Sequence, residues 1–190
     1  MRNLRFGIDI DGTVTCPTSL LPHINKQFGC ELILEDIKEY DLTKAFPIDE
    51  KTFYEWYKEA EPHIYETSAA QPFAQEVLSS WITQFELFYI SARGNHVFQG
   101  TQEWFTREEI PFDHIELTGS HQKIETAKKF AVDAFFEDKH DNAVEIHEEL
   151  QIPVLLFDTP YNRMTIPDGV IRVYDWQEAN KWIQHLFATE

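Results

Sequence analysis

Hydrophobic and polar positions along this chain alternate between two periods. Strand-like runs rich in β-branched and aromatic residues occur at 4–10, 85–90, 114–117, 132–136, 153–157 and 170–174. Between them, helical spacing predicts helices over 20–28, 49–60, 72–83, 95–109, 122–130, 142–150 and 176–187. In the second of these, Phe53, Trp56, Tyr57 and Ala60 fall at i, i+3, i+4 and i+7, which is one helical face. Asp49 suits its N-cap, and Pro62 is expected to lie beyond its end. Strands alternating with helices predict βαβ units, hence an α/β fold: a parallel sheet with helices on both faces. The uninterrupted apolar run Val154-Leu155-Leu156-Phe157 suits a strand covered on both sides. The alternation begins with the first strand, breaks off, and resumes near residue 76. The expected organisation is a core domain from residues 1–15 and 76–190, with a small helical cap inserted over 16–75. Ligands of open α/β sheets sit beyond the carboxyl ends of the strands, so an insertion there would roof the site.

The first strand ends in Asp9-Ile10-Asp11-Gly12-Thr13. Residues two apart on a strand share a side, and the turn after it lets the two carboxylates converge. Gly12 permits a sharp turn and a close backbone approach. Asp-Gly also suits a hairpin turn, but no alternating strand follows; Val14-Thr15-Cys16-Pro17 leads toward a helix instead. Two carboxylates held together repel one another, and a divalent cation or a shared proton relieves that cost.

Polar groups follow the other strands in the same way. The second strand ends in Ile90-Ser91-Ala92-Arg93-Gly94, Lys123 follows the third at the start of a helix, and the fourth ends in Phe136-Glu137-Asp138 with Asp141 just beyond. Each has a plain structural alternative: Ser91 as a helix cap, Lys123 as a solvated lysine, Glu137 and Asp138 as acids complementing a helix dipole. Those alternatives do not explain why every group lies past a strand's carboxyl end.

Composition narrows the reading. The 190 residues suffice for one domain with a core and a small appended module, and 43% apolar with 14% aromatic residues argues against disorder. A net charge of −17 argues against binding a nucleic-acid polymer. A small phosphorylated substrate remains compatible, because a bound metal reverses charge locally. Cys16 and Cys30 form no CxxC motif, which points to a reduced, cytoplasmic compartment. No run is long and apolar enough to read as a signal peptide or a membrane span.

In order and spacing, these four motifs resemble those of the haloacid dehalogenase (HAD) superfamily of phosphohydrolases, over nearly the whole chain. The resemblance implies a Rossmann-like core and a Mg²⁺-dependent reaction. Asp9 would be the nucleophile that forms an aspartyl-phosphate, and Asp11 the general acid and base. Ser91 and the amides after it would bind phosphate oxygens, and Lys123 would neutralise charge on the phosphoryl group and Asp9. Asp138, Asp9 and the backbone carbonyl of Asp11 would hold Mg²⁺. Thr13, Ala92 and Arg93 are further substrate-binding candidates, Arg93 either touching phosphate or pairing with an acid. Many members carry Asp-Asp at the fourth motif; Glu137-Asp138 here leaves Glu137 either a ligand or a support, and Asp141 a third acid that would orient Lys123.

Within the superfamily, the stretches 9–14, 136–143 and 156–162 look like the 5′(3′)-deoxyribonucleotidase branch and its bacterial relatives. That implies a 5′-nucleotidase acting on (deoxy)ribonucleoside monophosphates. Cap aromatics would stack on the base, with Phe46 and Trp56 as candidates and the cap's own core as the alternative role. The same chemistry on a phosphosugar, a mutase, and a catalytically retired binding protein are the competing readings. A homodimer is compatible with any of them.

Overall fold

The structure is a computed structural model and describes residues 3–45, 48–120 and 122–187. Phe46 therefore lies outside the described residues. Within them are six strands: β1 (Arg5–Ile8), β2 (Glu86–Ser91), β3 (His114–Leu117), β4 (Ala134–Glu137), β5 (Val154–Phe157) and β6 (Val170–Val173). Seven α-helices accompany them: α1 (Leu21–Phe28), α2 (Glu50–Thr67), α3 (Ala74–Trp81), α4 (Phe98–Arg107), α5 (Ile124–Phe130), α6 (His140–Leu150) and α7 (Trp176–Leu186).

The strands form one parallel sheet in the order β3-β2-β1-β4-β5-β6. The chain winds outward from β1 to β3, then returns to place β4 on the other side of β1. The switch point, where a doubly wound sheet opens its ligand crevice, is thus between β1 and β4.

Strand alternation sends successive side chains to opposite faces. Phe6, Ile8, Phe136 and Leu155 join Trp81 of α3, Trp104 of α4 and Trp176 of α7 in one apolar cluster. Phe135, Leu156 and Ile90 join Ala127 of α5 and Ala143 and Ile146 of α6 in the other. Removing a buried ring such as Trp81 or Trp176 typically costs about 3–5 kcal/mol, and these rings anchor the layer beneath the site. Gly7 lies between Phe6 and Ile8 because Phe135 crosses it: a Cβ there would meet the Phe135 ring at 2.4 Å.

Residues 16–70 leave and re-enter the core at one place. The Cys16 N–H donates to Ala69 O at 2.8 Å and the Gln71 N–H to Val14 O at 2.8 Å, with an antiparallel bridge between Thr15 and Ala70. One expectation is corrected here. Helix α2 starts at the Asp49 cap, whose carboxylate accepts from Thr52 N, but runs on through Pro62 to Thr67. A proline inside a helix removes one N–H and crowds the preceding turn. Tertiary contacts hold the last turns regardless: Ile64 and Tyr65 are buried against Val97, and Arg107 Nη2 donates to Glu66 O at 2.6 Å. The extension matters because it carries Glu61, Ile64 and Tyr65 over the carboxyl end of the sheet.

Candidate active site

The parallel ladder between β1 and β4 pairs Ile8 with Phe136 and continues as the Asp9 N–H donates to Phe136 O at 2.9 Å. Asp9 is thereby set beside Glu137 at the switch point. The turn after it is held by Ile10 O, which accepts from the backbone N–H groups of Val14 and Thr15, both at 2.9 Å. Thr15 Oγ1 also accepts from the Gly12 N–H at 3.2 Å.

Lys123, just before α5, projects into this point. Its Nζ lies 2.6 Å from Asp9 Oδ1 and 2.9 Å from Glu137 Oε2, and all three side chains are buried. Burial works against the ammonium, but Asp9 and Glu137 outweigh it and hold its proton more firmly than usual. The two carboxylates divide unequally. Burial pushes Glu137 up, but Lys123, the Lys139 N–H and Asn142 Nδ2 together bring it below the usual carboxylate range. Asp9 has fewer donors. Burial, with Glu137 and Asp11 nearby, raises it to about 8, with Lys123 pulling the other way. Asp138 is likewise pushed well above the usual range by burial, Glu137 and Asp9.

Asp138 follows β4 and is held from the loop after β5. Tyr161 Oη donates to its Oδ2 at 2.5 Å, and Asn162 Nδ2 donates to its backbone O at 2.6 Å. Its other carboxylate oxygen, Oδ1, is buried with no hydrogen-bond partner among the described residues. Oxygens of Asp9, Glu137 and Asp138 lie within 4.8 Å of one another. Three hard carboxylate donors, one with an unsatisfied buried oxygen, fit a small divalent cation such as Mg²⁺. Gly12 closes over this group. It has φ +77°, and a Cβ on it would fall 2.2 Å from Asp138 Oδ2. Gly12→Ala is therefore expected to displace the Asp138 carboxylate. A displacement of that order at a reacting centre costs about 10²-fold in rate. Turnover assays paired with thermal melts check this, the expected result being a large loss of rate with a Tm drop of only a few degrees.

The remaining predicted residues are placed as follows. Ser91 and Ala92 line the cavity beside Asp9, and Ser91 Oγ accepts from the Arg93 N–H at 3.2 Å, leaving its own O–H available to donate. Arg93 is buried and grips Asp11 with two parallel bonds, Nε to Oδ2 at 2.9 Å and Nη2 to Oδ1 at 2.7 Å. Its third nitrogen donates to Thr101 Oγ1 at 3.1 Å, and its guanidinium stacks 3.8 Å from the Tyr65 ring centroid. Of the two roles open to Arg93, this geometry is the pairing with an acid. Thr13 is fully buried beneath the turn, where its carbonyl accepts from Trp176 Nε1, and it does not line the cavity. Trp56 packs among Phe28, Phe53 and Tyr57 within the insertion and does not line the cavity either. The orienting role expected of Asp141 is corrected. Asp141 lies in the first turn of α6, 81% exposed and paired with His140, and the acid that holds Lys123 is Glu137.

Above the carboxylates is a cavity of about 560 Å³, a size that suits a small organic ligand. Its floor is Asp9, Asp11, Ser91 and Asp138; much of its roof is Tyr54, Tyr57, Glu61 and Tyr65 of α2. Tyr40, from the insertion, and Tyr161 complete the wall. Burial, helped by Asp11, raises Tyr57 to about 12 and Tyr65 further, so both remain neutral O–H groups near neutral pH. Tyr40, Tyr65, Glu61 and Tyr161 are the residues that the motif pattern does not announce. Tyr161 alone had a usable signal, because it follows the carboxyl end of β5 just as the other site residues follow theirs.

Comparison with known proteins identifies the family. The sequence profile of the family described as "5' nucleotidase, deoxy (Pyrimidine), cytosolic type C protein" matches residues 2–189. The chain is 48% identical over 179 residues to "Putative nucleotidase BH1399" of Halalkalibacterium halodurans, covering 94% of this chain and 92% of that one. It is 42% identical over 182 residues to "Putative nucleotidase YqfW" of Bacillus subtilis, covering 96% and 94%. Among solved structures, a haloacid dehalogenase-like hydrolase, SP0104 from Streptococcus pneumoniae, superposes with a TM-score of 0.69 at 14% identity, covering 96% of this chain and 99% of that one, which shows a shared fold. The chain belongs to the cytosolic type C 5′-nucleotidase family, a family of phosphoric monoester hydrolases, and shares the fold of haloacid dehalogenase-like hydrolases.

Proposed function

We propose that this chain is a magnesium-dependent phosphomonoesterase that hydrolyses nucleoside 5′-monophosphates, with Asp9 as nucleophile. The observation that carries the reading is a buried Asp9, paired with Lys123, on the floor of a tyrosine-lined cavity at the sheet's switch point.

Asp9 attacks phosphorus, and the bond from phosphorus to the nucleoside oxygen breaks while Asp11 gives that oxygen a proton. Asp11 then takes a proton from the water that attacks the aspartyl-phosphate, the Asp9–phosphorus bond breaks, and inorganic phosphate leaves. Lys123 offsets charge as it builds on Asp9 and the phosphoryl oxygens, at short range and with its own side chain buried. Ser91 Oγ and the Ala92 amide donate to phosphoryl oxygens, a role supported by both residues lining the cavity. Arg93 fixes where the Asp11 carboxylate sits. Asp9, Glu137 and Asp138, with the Asp11 backbone carbonyl, are the proposed Mg²⁺ ligands. When bound, the cation supplies positive charge that favours ionised Asp9 and screens it from the anionic substrate. Residues 16–75 act as the cap over a core of 1–15 and 76–190, and the roof tyrosines supply flat faces for a nucleobase. The family's description as cytosolic supports a cytoplasmic location for the enzyme.

The test is phosphate release from a panel of ribo- and deoxyribonucleoside monophosphates, sugar phosphates and an aryl phosphate, with Mg²⁺ and with chelator. The expected result is chelator-sensitive release, fastest from nucleotides. Release from sugar phosphates alone would replace the substrate, and release from nothing would favour a mutase or a binding role.

A further inference from the structure

The stretch Thr159-Pro160-Tyr161-Asn162 has no part in the chemistry above, yet its last two residues both hold Asp138. Asn162 is locked in place. Its Nδ2 donates to Phe157 O at 2.7 Å as well as to Asp138 O, and its Oδ1 accepts from the Thr159 N–H and from Arg172 Nη1. Tyr161, on the same turn, packs edge-on against Tyr40 with ring centroids 5.8 Å apart. Its phenol is thus set firmly against one particular oxygen, Asp138 Oδ2.

The two oxygens of that carboxylate are in opposite situations. Oδ2 accepts from Tyr161 and is overlain by Gly12 so closely that a Cβ would fall 2.2 Å away, and 3.2 Å from Tyr161 Oη. Oδ1 is buried with no hydrogen-bond partner among the described residues. Such an atom is costly unless something satisfies it.

We infer that Tyr161 is a positioning residue that restricts Asp138 to a single open oxygen, and so favours magnesium over calcium at this site. The inference rests on the reading of Asp9, Glu137 and Asp138 as metal ligands. Magnesium demands compact octahedral geometry, whereas calcium accepts more oxygens at longer distance and readily takes both oxygens of one carboxylate. With Oδ2 committed to the phenol and covered by Gly12, Asp138 offers one donor, which suits the smaller ion. Removing the phenol takes away the hydrogen bond that commits Oδ2 and loosens the orientation of Oδ1.

Calorimetric titration of Mg²⁺ and of Ca²⁺ into substrate-free wild type, Tyr161→Phe and Asp138→Asn tests this. Phenylalanine keeps the ring and its packing against Tyr40, so a metal-free melt close to that of wild type is expected. In Tyr161→Phe, the Mg²⁺ Kd should rise about tenfold, a typical cost of losing an outer-shell partner, while Ca²⁺ binding holds or tightens. Parallel weakening of both ions would mean that the loop is merely structural, and unchanged binding would mean that the phenol does nothing; either overturns the inference while leaving the metal site standing. If Asp138→Asn binds Mg²⁺ as wild type does, the metal reading itself fails and the inference with it.

Discussion

Asp9→Asn should abolish turnover of every phosphomonoester that the wild type accepts, by at least about 10⁴-fold in kcat, as loss of a covalent nucleophile does elsewhere. The substitution keeps the side chain's size but removes the charge that attacks phosphorus. It should not cost the fold. Asp9 is buried beside Glu137 and Asp138, and burial already favours its neutral form, so a neutral side chain of the same size is tolerated even as the contact with Lys123 weakens. The expected pattern is therefore loss of activity with a melting temperature near or above that of wild type, and nucleotide binding retained. Loss of activity through unfolding would show as a fall in Tm, and residual turnover within tenfold of wild type would remove Asp9 from the chemistry.

Lys123→Met should do the reverse to stability. Lys123 is 2% exposed and is the ammonium that both Asp9 and Glu137 face. Removing one member of a buried charge cluster leaves the others uncompensated, at about 3–5 kcal/mol. For a domain of this size that corresponds to a Tm lower by roughly 10 °C. Methionine fills much of the same volume, so the loss reports charge and not a cavity. Thermal melts with and without Mg²⁺ check it: the deficit should shrink when a cation enters the cluster. A Tm within about 2 °C of wild type would mean that the cluster tolerates its own repulsion.

Much of this is legible in the amino-acid sequence alone. The strands announced themselves because both faces of the sheet are covered, and runs such as Val154-Leu155-Leu156-Phe157 are wholly buried. The Asp9, Ser91, Lys123 and Asp138 positions were legible because the parallel sheet gathers strand ends at one edge, so a polar residue after each strand has a common destination. What the sequence hid depended on tertiary contacts. Pro62 reads as a helix end, yet packing of Ile64 and Tyr65 carries α2 past it. The stripe Phe53, Trp56, Tyr57 cannot reveal which ring faces a ligand; Tyr57 faces the cavity and Trp56 faces its neighbours. Glu137 and Asp141 lie four apart, and only the turn between β4 and α6 decides that Glu137 meets Lys123 while Asp141 meets solvent.

The central claim is that phosphorus passes through a covalent bond to Asp9, and Asp11→Asn gives direct access to it. When Asp9 takes the phosphoryl group of an aryl phosphate, the leaving group departs as a stable aryl oxide and needs no proton, so losing Asp11 should spare the first step and stall the second, in which water must be activated. Mass spectrometry of peptides from this variant, quenched in acid after exposure to an aryl phosphate and Mg²⁺, should find one added phosphoryl group on the peptide containing Asp9. An unmodified peptide, in a variant that still releases the aryl oxide, would mean that water attacks the substrate directly and would contradict the account.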